Sequence, residues 1–413
     1  MRLVAYVVTA AVLTPAEALW AAETEFEYDA SLGEVYSQDV FRTGTDPVND
    51  YITGLRLNAG LNLKTPRSET MFKYSPEYLG YAHVSGLSHL DQRFRATWEL
   101  QAGPRSKIDI RQGYSDTTRQ SGFQDLTGSG GNISEPIITL ARRTAWDLEP
   151  HYALQSSPAH IWEFQAVYRS ESYDKPNLID SDQFGVWGGF DHQLGKKQKL
   201  GWRLRADSYR FASDAGPITN VYDRFADTEI RWSWANTDRV SVSANGGFFE
   251  AQGEGLDTAT GPTGGLSGEW RWRHTALEAG YDMGYSTGGG ISTTDRSQAG
   301  NLTLTGHWGD GYDLSGTAGY ISRANVDSRG QSAPNLHGRS LRAELSKSWH
   351  QGLKLTAAVQ AIRQDEVSGR SLSYGEAVLG VIYTPVKRES VHLPPVEPTE
   401  PPEVPPVSQH GQG

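Results

Sequence analysis

Charged residues in this chain recur at every second position, set against apolar neighbours. Arg93, Arg95 and Glu99 alternate with Phe94, Ala96, Trp98 and Leu100. Arg203, Arg205 and Asp207 alternate with Leu200, Trp202, Leu204 and Ala206, and Asp227, Glu229 and Arg231 with Thr228, Ile230, Trp232 and Trp234. Glu269, Arg271, Arg273, Glu278, Asp282, Arg342 and Glu344 follow the same rule. Charges gathered on one face can pair into ladders that stiffen a wall. They can also line a water-filled path and orient polar or charged solutes. The two readings are compatible, and both are open. The set holds eight arginines and eight carboxylates. Neither sign dominates its field, so strong ion selectivity is not expected.

Other chemistry finds less support. The chain has no cysteine, which excludes disulfides, thiolate metal sites and cysteine nucleophiles. Its eleven histidines are scattered, without the H-x-x-x-H spacing that puts two ligands on one helix face. Asp180-Ser181-Asp182 could touch calcium but reads more simply as a solvated turn. His83, His89 and His337 are the candidates for a hydrolase site at a rim. No cofactor or metal is expected, and the chain reads as a non-enzyme. A formal net charge of −11 without any Lys/Arg tract argues against a nucleic-acid partner.

A period of two means strands with two chemically different faces. It runs from residue 25 to 384, with many segments near ten residues, about the length a tilted strand needs to cross a bilayer. Short turn signals stand at 65–67, 103–105, 156–158, 195–197, 236–238, 273–274, 309–311 and 351–352. Longer polar connections lie between them. Eight short turns and nine longer loops predict 18 strands, within a range of 16–18. Trp162, Trp202, Trp232, Trp234, Trp270, Trp272, Trp308 and Trp349 cluster beside the short turns, and Tyr114, Tyr168, Tyr285 and Tyr320 at the opposite strand ends. Two aromatic belts are what anchoring at two membrane interfaces predicts. Trp187 lies on the face opposite Phe184, Val186 and Phe190. Pro76 interrupts a strand, and a bulge near the rim is expected to absorb it.

The first 21 residues read as an export signal: Arg2, the apolar run Leu3 to Leu13, then small residues at Ala16 and Ala18, with Ala21 a second cleavage point. Residues 22–385 form the expected barrel. Residues 386–413 are a Pro-rich tail that favours an extended polyproline conformation. It is expected to be a spacer or a docking segment for periplasmic export components.

The stretch from Phe72 to Tyr114 resembles bacterial outer-membrane proteins of the β-barrel porin families, including barrels found with exopolysaccharide export systems. The residues that carry the likeness are Tyr74-Ser75-Pro76-Glu77-Tyr78, Leu90-Asp91, Phe94, the Gly103-Pro104 turn and Ile108-Asp109-Ile110. The resemblance implies an all-β, transmembrane, antiparallel up-and-down barrel in the outer membrane of a Gram-negative bacterium. Its partners would be outer-membrane lipid and the barrel-assembly machinery, and both termini would be periplasmic. The connection from Asp116 to Pro136 resembles by position the third loop of trimeric porins, which folds inward and narrows the channel; Gly128, Gly130 and Gly131 would let it turn. The function expected is passage of polar solutes or an exported polysaccharide through a mixed-charge lumen. A plugged structural or partner-binding barrel, a rim-site hydrolase and a secreted soluble β-repeat protein are the alternatives.

Overall fold

The computed structural model describes residues 23–41, 47–118, 141–175, 178–212, 221–236, 239–253, 256–287, 294–325, 336–349, 352–366, 371–385 and 389–391. The expected signal segment and nearly all of the Pro-rich tail lie outside them. Eighteen long strands follow one another: β1 (Glu23–Ser37), β2 (Asp50–Lys64), β3 (Ser68–Tyr81), β4 (His89–Gly103), β5 (Ser106–Thr117), β6 (Arg143–Ser157), β7 (His160–Tyr173), β8 (Asp180–Gln193) and β9 (Gln198–Ala212) make the first half. The second half is β10 (Val221–Asn236), β11 (Val240–Gly253), β12 (Leu256–Arg271), β13 (Thr275–Thr287), β14 (Thr294–Trp308), β15 (Tyr312–Asn325), β16 (Leu336–Ser348), β17 (Leu353–Glu366) and β18 (Ser371–Tyr383). A three-residue strand, β19 (Glu389–Val391), follows.

Each long strand pairs antiparallel with its sequence neighbours, and β1 also pairs with β18, so the sheet closes into an up-and-down barrel. Closure leaves no long free edge. All eight expected short turns fall between strands, from 65–67 to 349–352. Gly311 and Gly352 take positive φ of 80° and 79° in the last two, a conformation that side-chain-bearing residues resist. The strands run 12 to 16 residues, longer than the pattern suggested. The ladder continues past the apolar stripe into polar sequence, as in Asp207-Ser208-Tyr209-Arg210 of β9.

The two faces differ as the alternation requires. Leu204, Ile230, Phe248, Leu302, Leu341, Val359 and Leu379 are all exposed, on one face of seven different strands. The opposite face is concave, because it carries contacts between strands that are not neighbours: Arg231 on β10 reaches Glu163 on β7 at 3.6 Å. Trp202, Trp232, Trp270, Trp272, Trp308 and Trp349 are exposed beside the short turns. Tyr320 is exposed toward the opposite end, where Trp146 and Tyr168 make an edge contact at 5.0 Å. The side chain of Tyr285 lies outside the described residues.

Pro76 is accommodated differently from expectation. The β2–β3 register is the same on both sides of it, without a bulge; the pairs opposite Ser75 and Pro76 are simply missing, while the β3–β4 ladder runs through. The proline thus removes ladder pairing on its β2 side and leaves the wall continuous. Three residues of the segment read as the tail are described, and they join the sheet. β19 pairs with Thr24 to Phe26 of β1 and so adds to the wall beyond the end of β18.

Candidate functional site

The lumen wall is the site that strand alternation builds. Inward residues of β3 to β10 form a dense charged sector. Arg93 bonds Glu77 at 3.1 Å, and Lys107 bridges Glu99 at 2.8 Å and Asp109 at 3.0 Å. His151 stands 3.3 Å from Asp109, and Arg169 is 3.5 Å from Glu149. Arg143 pairs with Glu171, Arg205 holds Asp207 at 2.5 Å, and Arg231 meets Asp191 at 3.1 Å. Trp187 is the aromatic member: the Arg203 guanidinium stacks 4.0 Å over its ring, and its indole N–H donates to Gln165 at 3.0 Å. A stacked cation is attracted by the ring quadrupole, which fixes Arg203 while its charge still faces the lumen.

Two glycines show how the carboxylates are laid back against the wall. A Cβ at Gly185 would collide with the Asp207 carboxylate, and one at Gly201 with that of Asp191. Each aspartate therefore lies over a neighbouring strand where no side chain stands.

Every expected pore residue except Arg273 lies on this concave face. Arg93, Arg95 and Glu99 are on β4, Arg203, Arg205 and Asp207 on β9, and Asp227, Glu229 and Arg231 on β10. Glu269 and Arg271 on β12 pair with each other, Glu269 stands opposite Glu278 of β13, and Asp282 is opposite Gly265. Arg342 bonds Glu344 at 2.6 Å on β16. Arg273 is instead in the short turn between β12 and β13, where the ladder has ended. Arg56, Glu77, Asp109, Arg111, Asp147, Glu149, His151, Glu163, Arg169 and Asp191 also face inward but were not among the expected lining. A strict two-residue count through β2, β3 and β5 to β8 would have found them. From β11 to β16 hydroxyl and amide groups stand among these charges on the inner wall: Ser243 is opposite Ser267 and Thr303 opposite Thr317, and Asn245 and Asn301 share the same face.

The loop end of the barrel is partly filled from one side. Val35, Ile52, Leu79, Tyr81, Ala358 and Val378 form an inward apolar cluster from β1, β2, β3, β17 and β18. Val40 and Phe41 of the first long connection and Val84 and Leu87 of the second pack on it. Asp50 locks the second connection down. Its carboxylate accepts the backbone N–H groups of Tyr51, His83 and Val84 at 2.7, 2.9 and 3.0 Å, and sits 2.9 Å from His83 Nδ1. The long connection that begins at Asp116 is described only to Thr118, whose N–H donates to Asp91 at 2.9 Å. Its inward fold and Gly128, Gly130 and Gly131 lie outside the described residues. At its far end Asp116 bonds the Arg142 guanidinium and raises its pKa.

The candidate rim histidines are not assembled into one site. His83 is held by Asp50, His89 lies 3.3 Å from Asp91, and His337 is on the outward face of β16. Gly284 to Gly288 spell a G-x-S-x-G spacing, but β13 runs through Thr287 and Ser286 pairs with Asp295 in a ladder. A nucleophile elbow requires a sharp strand-to-helix turn there. Asp180 accepts the Tyr173 N–H at 2.9 Å, closing a strand connection. No cluster of three metal-ligating side chains occurs among the described residues.

No family model and no curated protein sequence matches this chain. Solved structures do. The FrpB iron transporter from Neisseria meningitidis (F3-3 variant) is 10% identical with a TM-score of 0.49, over 86% of this chain and 64% of its own. This chain thus spans less than two thirds of that protein's length. Acinetobacter baumannii OccAB4 is 13% identical with a TM-score of 0.45, over 88% of this chain and 98% of its own. Pseudomonas aeruginosa OccK2 is 12% identical with a TM-score of 0.47, over 88% and 97%. The architecture rests on the strand order and closure given above.

Proposed function

We propose that this chain is an outer-membrane channel for polar solutes. The observation that carries the reading is the solvent exposure of charges on the concave face. Lys73, Arg95, Arg111, Arg271, Glu278 and Asp282 point inward and are nonetheless exposed. Side chains alone do not fill an 18-strand circumference, and water is what remains to solvate them. The outward face, apolar and edged by tryptophan, fits lipid. Charges of both signs and hydroxyl and amide groups share the lumen wall, which suits solutes that offer both kinds of partner, among them carbohydrates such as an exported polysaccharide.

The test is conductance of the purified, heat-modifiable protein in a planar bilayer. Stable unitary steps are expected, with cation and anion permeabilities within a few-fold of each other, because the wall mixes signs. Absence of conductance from folded protein would overturn the channel and favour a plugged scaffold. The apolar cluster under the first two long connections is the observation that favours that second reading.

A further inference from the structure

We propose that the outer wall from β15 to β18 binds a membrane lipid through its phosphate, a reading that rests on the barrel being membrane-embedded. Arg339 on β16 and Arg363 on β17 are direct cross-strand partners. Both project outward, in phase with the exposed Leu341 and Val359. Like charges set directly opposite on a sheet face destabilise each other, because their Cβ atoms stand only about 5 Å apart. One carboxylate offsets the two guanidinium groups: Asp365 bonds Arg363 at 3.0 Å and is itself held by the Ser371 hydroxyl at 2.6 Å. Arg339 makes no ion pair among the described residues. Tyr320 lies opposite Arg339 and Ser373 opposite Arg363, so two hydroxyls flank the pair. Two arginine forks with flanking hydroxyls match the oxygens of a phosphate, and binding one converts the repulsion into attraction.

The same strands supply a place for the lipid chain. Farther from the loop end, an outward cavity of about 460 Å³ is lined mainly by apolar side chains, among them Leu345, Leu355, Ala357 and Leu379, with Glu34 and Lys347 also on its wall. Leu345 is six residues from Arg339 along β16. At about 3.4 Å per residue and a tilt near 40° that is roughly 15 Å of depth, half of a ~30 Å hydrocarbon core. A headgroup at the arginine pair thus puts an acyl chain of one leaflet into the cavity. Charge at the pair and apolar lining at leaflet depth together select an anionic lipid over a free anion.

Native mass spectrometry of the full-length protein in detergent tests this, with dioleoyl phosphatidic acid, dioleoyl phosphatidylcholine and inorganic phosphate as separate probes. One phosphatidic acid should be retained at a concentration at least tenfold below that needed for phosphatidylcholine. The double variant R339Q/R363Q should lose the preference while keeping the heat-modifiable folded band. A357F, which fills the cavity, should weaken retention without removing the headgroup site. Equal retention of the two lipids, an unchanged preference in the double variant, or competition by inorganic phosphate at the lipid's own concentration would each overturn the proposal. So would a homo-oligomer that R339Q/R363Q dissociates, since a second copy would then cover the face. A protein that needs no detergent would fail the membrane reading itself, a result distinct from all of these.

Discussion

Replacing Leu204 by arginine tests the assignment of faces where the two chemistries meet most closely. Leu204 is near the middle of β9, 55% exposed, with Gly188 and Thr228 beside it on the neighbouring strands. Neither neighbour offers a carboxylate. An arginine there meets hydrocarbon, at a cost of roughly 2–4 kcal/mol near the bilayer midplane. At about 1.4 kcal/mol per decade, that is about 30- to 700-fold in the folding constant. Arg205, the next residue, is not the neutral control that simple alternation suggests. It holds Asp207, itself nearly buried, at 2.5 Å, so Arg205→Leu also takes the counter-charge from a carboxylate that keeps only the Gln183 amide as donor among the described residues. The better control is Arg95→Leu, because Arg95 faces inward, is exposed, and makes no ion pair of its own within the described residues. Refolding into lipid vesicles across a urea series, read by heat-modifiable mobility, gives both stabilities. Leu204→Arg should shift the midpoint strongly downward or block insertion, and Arg95→Leu should stay within about 0.5 kcal/mol of the parent, as surface substitutions do. Equal losses, or a larger loss for Arg95→Leu, would show that the faces are reversed.

Two further outcomes follow from the same geometry. A cysteine at Gly86, in the connection between β3 and β4, should react with an impermeant thiol reagent on intact cells, and one at Gly195, in the turn between β8 and β9, only after the outer membrane is opened; both positions have free space around the new Cβ. Asp50→Ala removes the acceptor of three backbone N–H groups and should release the second connection, costing about 2–4 kcal/mol by the usual value of buried charged hydrogen bonds; bilayer conductance should rise as the urea midpoint falls, and an unchanged conductance would show that this connection does not narrow the lumen.

What the sequence made legible was whatever depends on local period. Leu200 to Asp207 displays both faces of a strand without reference to any other residue, and every short turn but the one at Arg273-His274 carries its own Gly, Pro, Asn or Asp signal. Strand number and closure follow from those two signals. Pairing across the lumen was not legible. That Arg231 meets Glu163 three strands away, or that Arg203 settles on Trp187, depends on register and curvature, which the alternation leaves undetermined. Trp187 looked like a misfit because an inward aromatic breaks the rule that polar residues face the lumen, and its partners come from β7 and β9. The inward apolar cluster was hidden for the same reason. Val35 and Ile52 occupy positions that elsewhere on the wall carry charge, and only the approach of Val40, Phe41, Val84 and Leu87 from two connections explains them.

The position of that cluster gives it a role beyond narrowing the mouth. The barrel closes where β1 meets β18, and this seam has eight residue pairs, against fifteen between β1 and β2. β18 stops pairing at Ala30, and the chain returns to β1 only through the three pairs of β19. Ladder pairing at closure is therefore short, as it is between β12 and β13, which also share eight residue pairs. Ala358 and Val378 stand on one side of the seam, and Val35, Ile52, Leu79 and Tyr81 on the other. The Gln38 N–H bonds the Gly375 carbonyl across it at 3.1 Å. Apolar burial from both sides, capped by Val40 and Leu87, supplies there the cohesion that fewer backbone bonds cannot. A part that staples the closing seam cannot swing freely without loosening the wall.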